Sequence, residues 1–376
     1  MSGSRARIAF LLGSCLFGSP AFAQDQERGA AQRSSSEIVV TALKRSDMLA
    51  TVPAPVSVVD GDDIRERAIT TAERLARFSA SLTVLPNPTA NIIFLRGVGN
   101  FTLTPSSDPA IGWNYDGVFV GRPNGTNGQF YDLDQVEILK GPQGVLYGRN
   151  ASGGTINLVP THPKPGIDEA SLAASYGSRN TTVLEGALNL ALGAKGALRV
   201  SGQMLAQDSY LEGFNGSRQN ALRVQLASDL TPSLTVRIAS DYTHQGGVGQ
   251  GTTYLGYYLY DSATSAYRLV QSGLPLDTGN RASASQTFRR TVPLTSLGRT
   301  LDAQAAVPYQ DNALMGAHAD VTADLGFATL NVLPAWRYSD FDQVPPGAPF
   351  GYKYLEKIEQ RSVEMRISSG SGGHLT

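Results

Sequence analysis

The chain has 376 residues and a formal charge of −1, with 41% hydrophobic and 17% charged residues. No run of 18 apolar residues lies beyond the first two dozen positions, which excludes helical membrane spans, and the charge balance offers nothing to nucleic acid. Few charges with 40 glycines and 15 tyrosines suit β-structure with many turns and a lipid-facing surface.

Arg5 and Arg7 precede an apolar run over 8–17, and Ala21-Phe22-Ala23 forms an A-x-A site ahead of Gln24. This is the pattern of a secretory signal over 1–23, cleaved near Ala23. Leu12-Gly13-Ser14-Cys15 loosely matches a lipoprotein signal instead, but cleavage there leaves an apolar mature start. Cleavage after Ala23 removes the one cysteine, leaving no thiol or disulfide chemistry. Residues 24–36 are polar and aperiodic, so a disordered tether is expected. Residues 37–42 (EIVVTA) form a short β-branched island within that polarity.

A strand is expected over 53–60 and a helix over 62–75, capped by Asp62 or Asp63. Short strands follow over 82–85, 92–95, 118–120 and 136–139, with a turn at Gly141-Pro142, and another strand over 155–159 after Gly153-Gly154. Gly141, Gly144, Gly148, Gly153 and Gly154 permit tight turns, while Leu146 and Tyr147 supply apolar mass for a small core. These residues make an α+β domain over 43–163, about 120 residues and an ordinary domain size.

Beyond Pro165 the texture becomes alternating. Leu222, Val224 and Leu226 oppose Arg223, Gln225 and Ala227; Leu234, Val236, Ile238 and Tyr242 oppose Arg237, Ala239, Asp241 and Thr243; Val363, Met365 and Ile367 oppose Glu364, Arg366 and Ser368. A side-chain period of two puts each set on its own face of a strand. Strands are expected over 169–177, 180–190, 197–207, 220–230, 234–244, 314–323, 327–337 and 358–368. A soluble sandwich alternates too, but connection lengths separate the two architectures. Every second connection is tight, whereas the third, fifth and seventh run to about twelve, seventy and twenty residues. Membrane barrels keep turns short on the periplasmic side and loops long outside. The expected fold is thus an α+β domain followed, over 164–376, by an antiparallel transmembrane β-barrel.

Eight strands enclose space only for their own side chains, whereas twenty-two-stranded transporters leave a lumen that a domain can fill. A 120-residue domain has a radius of gyration of about 14 Å. About eight strands of an expected twenty-two are therefore read here, with the chain ending in a hairpin near His374, as a partial sequence or a truncated product.

The segment 132–159, DLDQVEILKGPQGVLYGRNASGGTINLV, closely resembles the most recognisable stretch of TonB-dependent receptor plugs. Phe94-Leu95-Arg96-Gly97-Val98 resembles the plug's earlier R-G motif. The run Ile38, Val39, Val40, Thr41 and Ala42 resembles the TonB box, and Tyr176-Gly177 and residues 360–367 (QRSVEMRI) resemble barrel-strand motifs of the same family. The resemblance spans about 37–368 in the family's order.

It implies uptake of a scarce ligand, a ferric siderophore above all, bound between plug apices and outer loops of a monomer in a Gram-negative outer membrane. The partners implied are TonB with its inner-membrane energising complex, and outer-membrane lipid. Residues 37–42 would pair with TonB by strand addition. Arg96, Glu137 and Lys140 are candidates for a plug–barrel charge network, with Glu364 as a lumen-facing partner. For ligand contact the candidates are Asn87, Asn91, Arg122, Asn124, Gln129, Tyr254 and Tyr257. Tyrosines with arginines such as Arg289 and Arg290 can stack on an aromatic or anionic ligand, and such tyrosines also build the aromatic girdles of barrels. No cofactor or metal is implied.

An enzyme is the first rival, but the four histidines, His162, His244, His318 and His374, are scattered, and no HExxH, CxxC or GxSxG occurs. A phosphate-binding loop fails because no G-x-x-x-x-G-K-[ST] is present. A passive pore has no reason to carry the N-terminal domain. A signal-transducing receptor needs a folded domain before the TonB box, where only 24–36 lies. A non-functional truncated receptor stays open as an alternative.

Overall fold

The computed structural model describes residues 39–369 apart from 42–43, 45–46, 50–51, 53, 87–89, 102–106, 127, 215, 249–250, 254, 293–307 and 346–352. The expected leader, tether and terminal hairpin therefore lie outside the described residues, as do Ile38, Ala42, Asn87 and Tyr254.

Strand β1 (Val39–Val40) pairs antiparallel with β2 (Asp47–Met48). A five-stranded sheet is built from β3 (Val56–Asp60), β7 (Ile111–Tyr115), β8 (Val118–Phe119), β9 (Leu133–Lys140) and β10 (Gly154–Pro160), in the order β3-β9-β10-β7-β8. Within it β10 and β7 are parallel. A smaller antiparallel sheet holds β4 (Leu82–Pro86), β5 (Asn91–Leu95) and β6 (Val98–Gly99). Helices α1 (Gly61–Glu66) and α2 (Ala72–Ala76) supply Ile64 and Leu75 to a core shared with Leu95, Trp113, Val136, Ile138 and Ile156.

One helix over 62–75 was expected, and the chain forms two. Asp60, rather than Asp62 or Asp63, is the first cap, its Oδ1 accepting from the Asp63 N–H at 2.8 Å. The helix then stops in a left-handed residue, Ala68 at φ 49°. There Ile69 N–H bonds Ile64 C=O and Ala68 N–H bonds Arg65 C=O, the double closure of a Schellman end. Thr71 caps α2 through the Arg74 N–H at 3.3 Å. Leu146 also departs from expectation. The single turn α3 (Gly144–Tyr147) leaves Val145 and Leu146 exposed, and of its residues Tyr147 packs against the small cluster of Val40 and Leu139.

The second body is an eight-stranded antiparallel sheet. Its strands are β11 (Glu169–Gly177), β12 (Thr181–Ala191), β13 (Gly196–Gln207), β14 (Ser217–Thr231), β15 (Leu234–Gly247), β18 (Tyr309–Asp324), β19 (Ala328–Val344) and β20 (Tyr354–Ser369). Consecutive strands are neighbours throughout, and the sheet is open, with β11 and β20 at its edges. Between β15 and β18 the connection carries a separate hairpin, β16 (Gly256–Asp261) with β17 (Ala266–Gln271), and helix α4 (Ser283–Arg290).

The polarity of this sheet is inverted. Arg199, Gln203, Arg223, Gln225, Arg237 and Asp241 are buried, while Leu222, Val224, Leu226, Ile238, Val363, Met365 and Ile367 are exposed. The polar face curves around the α+β domain and the apolar face points away. Water would favour the reverse arrangement, since burying charges without apolar gain is unfavourable. Lipid on the outer face reconciles it.

Candidate functional site: the interface between domain and wall

At the centre of the interface stands Asp116, in the β7–β8 turn at φ 54°. The left-handed turn projects its carboxylate out of the domain, where it is 6% exposed. Arg223 on β14 donates through Nη2 to Asp116 Oδ2. Arg237 on β15 donates to both oxygens. His318 on β18 and His162, just beyond β10, each lie 3.0 Å away through Nε2. Burial by itself would push the Asp116 carboxyl up, but Arg237, Arg223 and His162 outweigh it and hold it well below 3.8. The Tyr115 ring underlies the Arg223 guanidinium at 4.7 Å.

A second carboxylate repeats the device. Asp132, at φ 48° ahead of β9, receives Arg199 of β13 through Nε at 2.8 Å and Nη2 at 2.5 Å, while its N–H donates to Glu185 of β12 at 2.9 Å. Side-chain amides of the wall complete the seam. Gln203 donates to Phe130 C=O at 3.0 Å, Gln225 to Thr161 C=O at 2.8 Å, and Gln360 to Phe119 C=O at 2.8 Å. Arg122 and Asn124 both reach Glu356 of β20, at 3.4 and 2.7 Å.

The N-terminal segment lies in the same seam. Thr41 donates its N–H to Glu137 Oε1 at 2.6 Å, and Gln135 Nε2 donates to Val39 C=O at 2.9 Å. Lys44 reaches Glu364 at 3.1 Å and lies over the Tyr147 ring at 4.7 Å. Burial pushes the Lys44 ammonium down, against the pull of Glu364. Desolvation likewise pushes Glu137 above 4.5, only partly offset by hydrogen bonds from Thr41, Asn157 and Gln135.

Of the four residues expected in the charge network, Glu364 alone forms an ion pair across the seam, and its partner from the domain is Lys44. Glu137 faces the Val39–Thr41 segment instead of the wall, because that side of β9 is covered by β1. Arg96 is exposed on the turn between β5 and β6, and Lys140 ends β9 half-buried; neither makes an ion pair among the described residues. Asp116, Asp132 and their arginine partners went unread in sequence. Their signal was present only as arginines on the polar faces of wall strands.

The expected ligand residues divide. Asn91 is buried against Thr126 at 3.2 Å, and Gln129 is buried as acceptor from Trp113 Nε1 at 3.0 Å. Asn124 is buried at the wall. Arg122 borders a cleft with Asn91, Asn100, Ile111 and Trp113. Tyr257 lies on β16, its ring 6.0 Å from Phe288 of α4, and does not line that cleft.

Residues 49–155 match the family model of the TonB-dependent receptor plug domain. The α+β domain is a TonB-dependent receptor plug. The chain is 30% identical over 227 residues to the pesticin receptor of Yersinia pestis, covering 57% of this chain and 32% of that protein. To an iron-regulated outer membrane virulence protein of Vibrio cholerae it is 28% identical over 150 residues, 38% of this chain and 22% of that one. It spans about a third or less of the length of these relatives.

Solved structures agree in fold. The ferric yersiniabactin uptake receptor of Yersinia pestis superposes with a TM-score of 0.65 at 18% identity, covering 85% of this chain and 46% of the receptor. The ferripyoverdine receptor of the Pseudomonas aeruginosa outer membrane, bound to ferripyoverdine, gives 0.65 at 15%, covering 89% and 43%. The eight-stranded sheet thus corresponds to barrel wall, and the Asp116 and Asp132 clusters join plug to wall.

Proposed function

We propose that the protein is a TonB-dependent outer-membrane receptor that takes up a ferric siderophore as a monomer, driven by TonB. In this reading residues 1–23 direct export, 24–36 form a tether, 37–42 are the handle for TonB, 43–163 are the plug and 164–376 are wall. The observation that carries it is the inverted wall, whose buried charges bind the plug while its apolar residues face outward. Such a wall is stable with lipid on its apolar side and water or a docked domain on its polar side, and here the docked domain is the plug. Two structural neighbours, the receptors for ferric yersiniabactin and for ferripyoverdine, support a metal chelate as cargo.

The test is uptake of radioactive iron presented as ferric siderophores to cells carrying the protein, with and without a protonophore. Receptor function predicts uptake that is abolished when the proton gradient collapses. Uptake that survives identifies a passive pore, and no uptake of any chelate by a correctly inserted protein overturns the proposal.

A further inference from the structure

Along much of the seam, wall side chains such as Gln203, Gln225 and Gln360 donate to plug carbonyls. One group of neighbours is different. The Tyr115 and Tyr131 hydroxyls, Ser201 Oγ, and Nε and Nη1 of Arg223 are buried and have no hydrogen-bond partner among the described residues. Leaving a buried polar group unpaired is costly, so each such group calls for an explanation. These four residues stand together. Ser201 and Arg223 are directly opposite on β13 and β14. On β13 Ser201 lies between Arg199, which holds Asp132, and Gln203, which holds the Phe130 carbonyl, and is thereby set beside Tyr131. Tyr115 lays its ring over the Arg223 guanidinium at 4.7 Å and over that of Arg337 at 5.8 Å. The Tyr131 phenol is near enough to interact electrostatically with Tyr115 and Arg223, without closing a hydrogen bond to either. Burial pushes the titration of both phenols upward, so each keeps a hydrogen to donate.

Charge points the same way. Three guanidiniums, those of Arg223, Arg237 and Arg337, meet two buried carboxylates here. Asp116 is shared by Arg223, Arg237, His162 and His318, and Asp241 accepts from Arg337. A third acid, Asp320, is 30% exposed and pairs with Arg237. The free edge of Arg223 is thus positive and undercompensated. A water can satisfy buried polar groups, but it brings two hydrogens that need acceptors of their own, and guanidinium N–H groups cannot accept. An anion takes a hydrogen bond from every one of these groups, the one from the guanidinium being charge-assisted. Tyr115, Tyr131, Ser201 and Arg223 are each at most 2% exposed, which limits the anion to a small one.

We infer that Tyr115 and Tyr131 of the plug, with Ser201 and Arg223 of the wall, form a binding site for a small inorganic anion, a halide such as chloride, that bridges the two domains. The seating of the plug then responds to halide concentration through one site, and not only through general screening of charge.

In the test, thermal unfolding of the protein in detergent is followed at constant ionic strength while chloride is exchanged for gluconate, whose anion is too large for a closed site. The site predicts a midpoint that falls as chloride is withdrawn. Above the dissociation constant the midpoint should climb with the logarithm of chloride concentration. Tyr131→Phe and Ser201→Ala each remove a donor and leave every charge in place, so both should flatten that dependence. In crystals of the unaltered protein soaked in bromide, an anomalous peak should lie between Arg223 Nε and the two phenol oxygens. Equal midpoints in chloride and gluconate overturn the site, and a bromide peak accompanying them marks an adventitious ion only. A chloride dependence that persists in both variants, or water density without bromide at that point, overturns it as well.

Discussion

Arg337 on β19 reaches Asp241 on β15 at 3.1 Å, although β18 lies between those two strands. Registry explains how. Gly316 of β18 is opposite Asp241 on one side and opposite Arg337 on the other. With no side chain at 316, the guanidinium crosses above the middle strand. A Cβ there would sit 2.6 Å from Asp241 Oδ1 and 2.8 Å from Arg337 Nη1. A glycine inside a strand is weakening unless something must approach closely, and here a buried ion pair does.

Gly316→Val should therefore separate this pair while leaving the strand's own hydrogen bonds possible. Each charge then loses its partner in a buried setting, at a cost of roughly 3 kcal/mol. Thermal unfolding in detergent should show a lowered midpoint. Arg337→Met combined with Gly316→Val should recover part of the loss, because Arg337 is then no longer left charged and unpaired.

Asp116→Asn tests the central cluster. Neutralising this residue leaves Arg223 and Arg237 buried about a neutral amide, and breaking one side of such a cluster costs roughly 3–5 kcal/mol. Protease sensitivity of the plug in intact vesicles should rise sharply at neutral pH. Acid, by contrast, should not mimic the substitution. The carboxyl is held well below 3.8 in the folded protein, so its contribution is present above the free value and is lost only as pH falls through the lower, folded one. Acidification from pH 7 to pH 5 should bring no loss of plug protection, and such a loss would contradict the assignment.

Glu137 is expected to behave in the opposite sense. Desolvation raises its carboxyl above 4.5, so the folded plug binds this proton more readily than the unfolded chain. The associated stability is full below the free value and declines as pH rises through the raised one. Urea midpoints measured upward from pH 4.5 should fall and then level, and Glu137→Gln should flatten the curve. A wild-type profile with no slope would count against a desolvated carboxylate here.

Periodicity made the wall legible and left the seam hidden. The strand expected over 169–177 is found as Glu169–Gly177, and all eight wall strands lie where alternation put them. The later ones run further than expected, as in Tyr309–Asp324 against 314–323, because Asp311, Asn312, Asp340 and Asp342 break the apolar alternation while the ladder continues. The plug contacts had no comparable signal. Asp116 and Asp132 are single carboxylates in turns, and Arg223 lies more than a hundred positions from the aspartate it meets. Glu137 was a candidate for the wall, but β9 from Gln135 to Leu139 is buried on both faces, so period two cannot say which way its odd positions point. The run over 37–42 was visible as β-branched residues, whereas the bonds from Val39 and Thr41 to Gln135 and Glu137 depend on how β1 folds back.

Leu226 and its neighbour Gln225 test the orientation of the wall. Leu226 is 41% exposed on the outward face and Gln225 is fully buried toward the plug. If the outward face lies in hydrocarbon, Leu226→Arg near mid-strand should cost about 2–4 kcal/mol, read as a shifted denaturant midpoint for unfolding from lipid vesicles. In detergent, where the head group can reach water by snorkelling, the same substitution should cost much less. Gln225→Leu should do the reverse of a lipid-face change: insertion is retained, but the hydrogen bond to Thr161 C=O at 2.8 Å is lost and the plug edge after β10 loosens by about 1 kcal/mol. A Leu226→Arg protein as stable in vesicles as its parent would mean that this face does not meet lipid, and the barrel reading would fall with it.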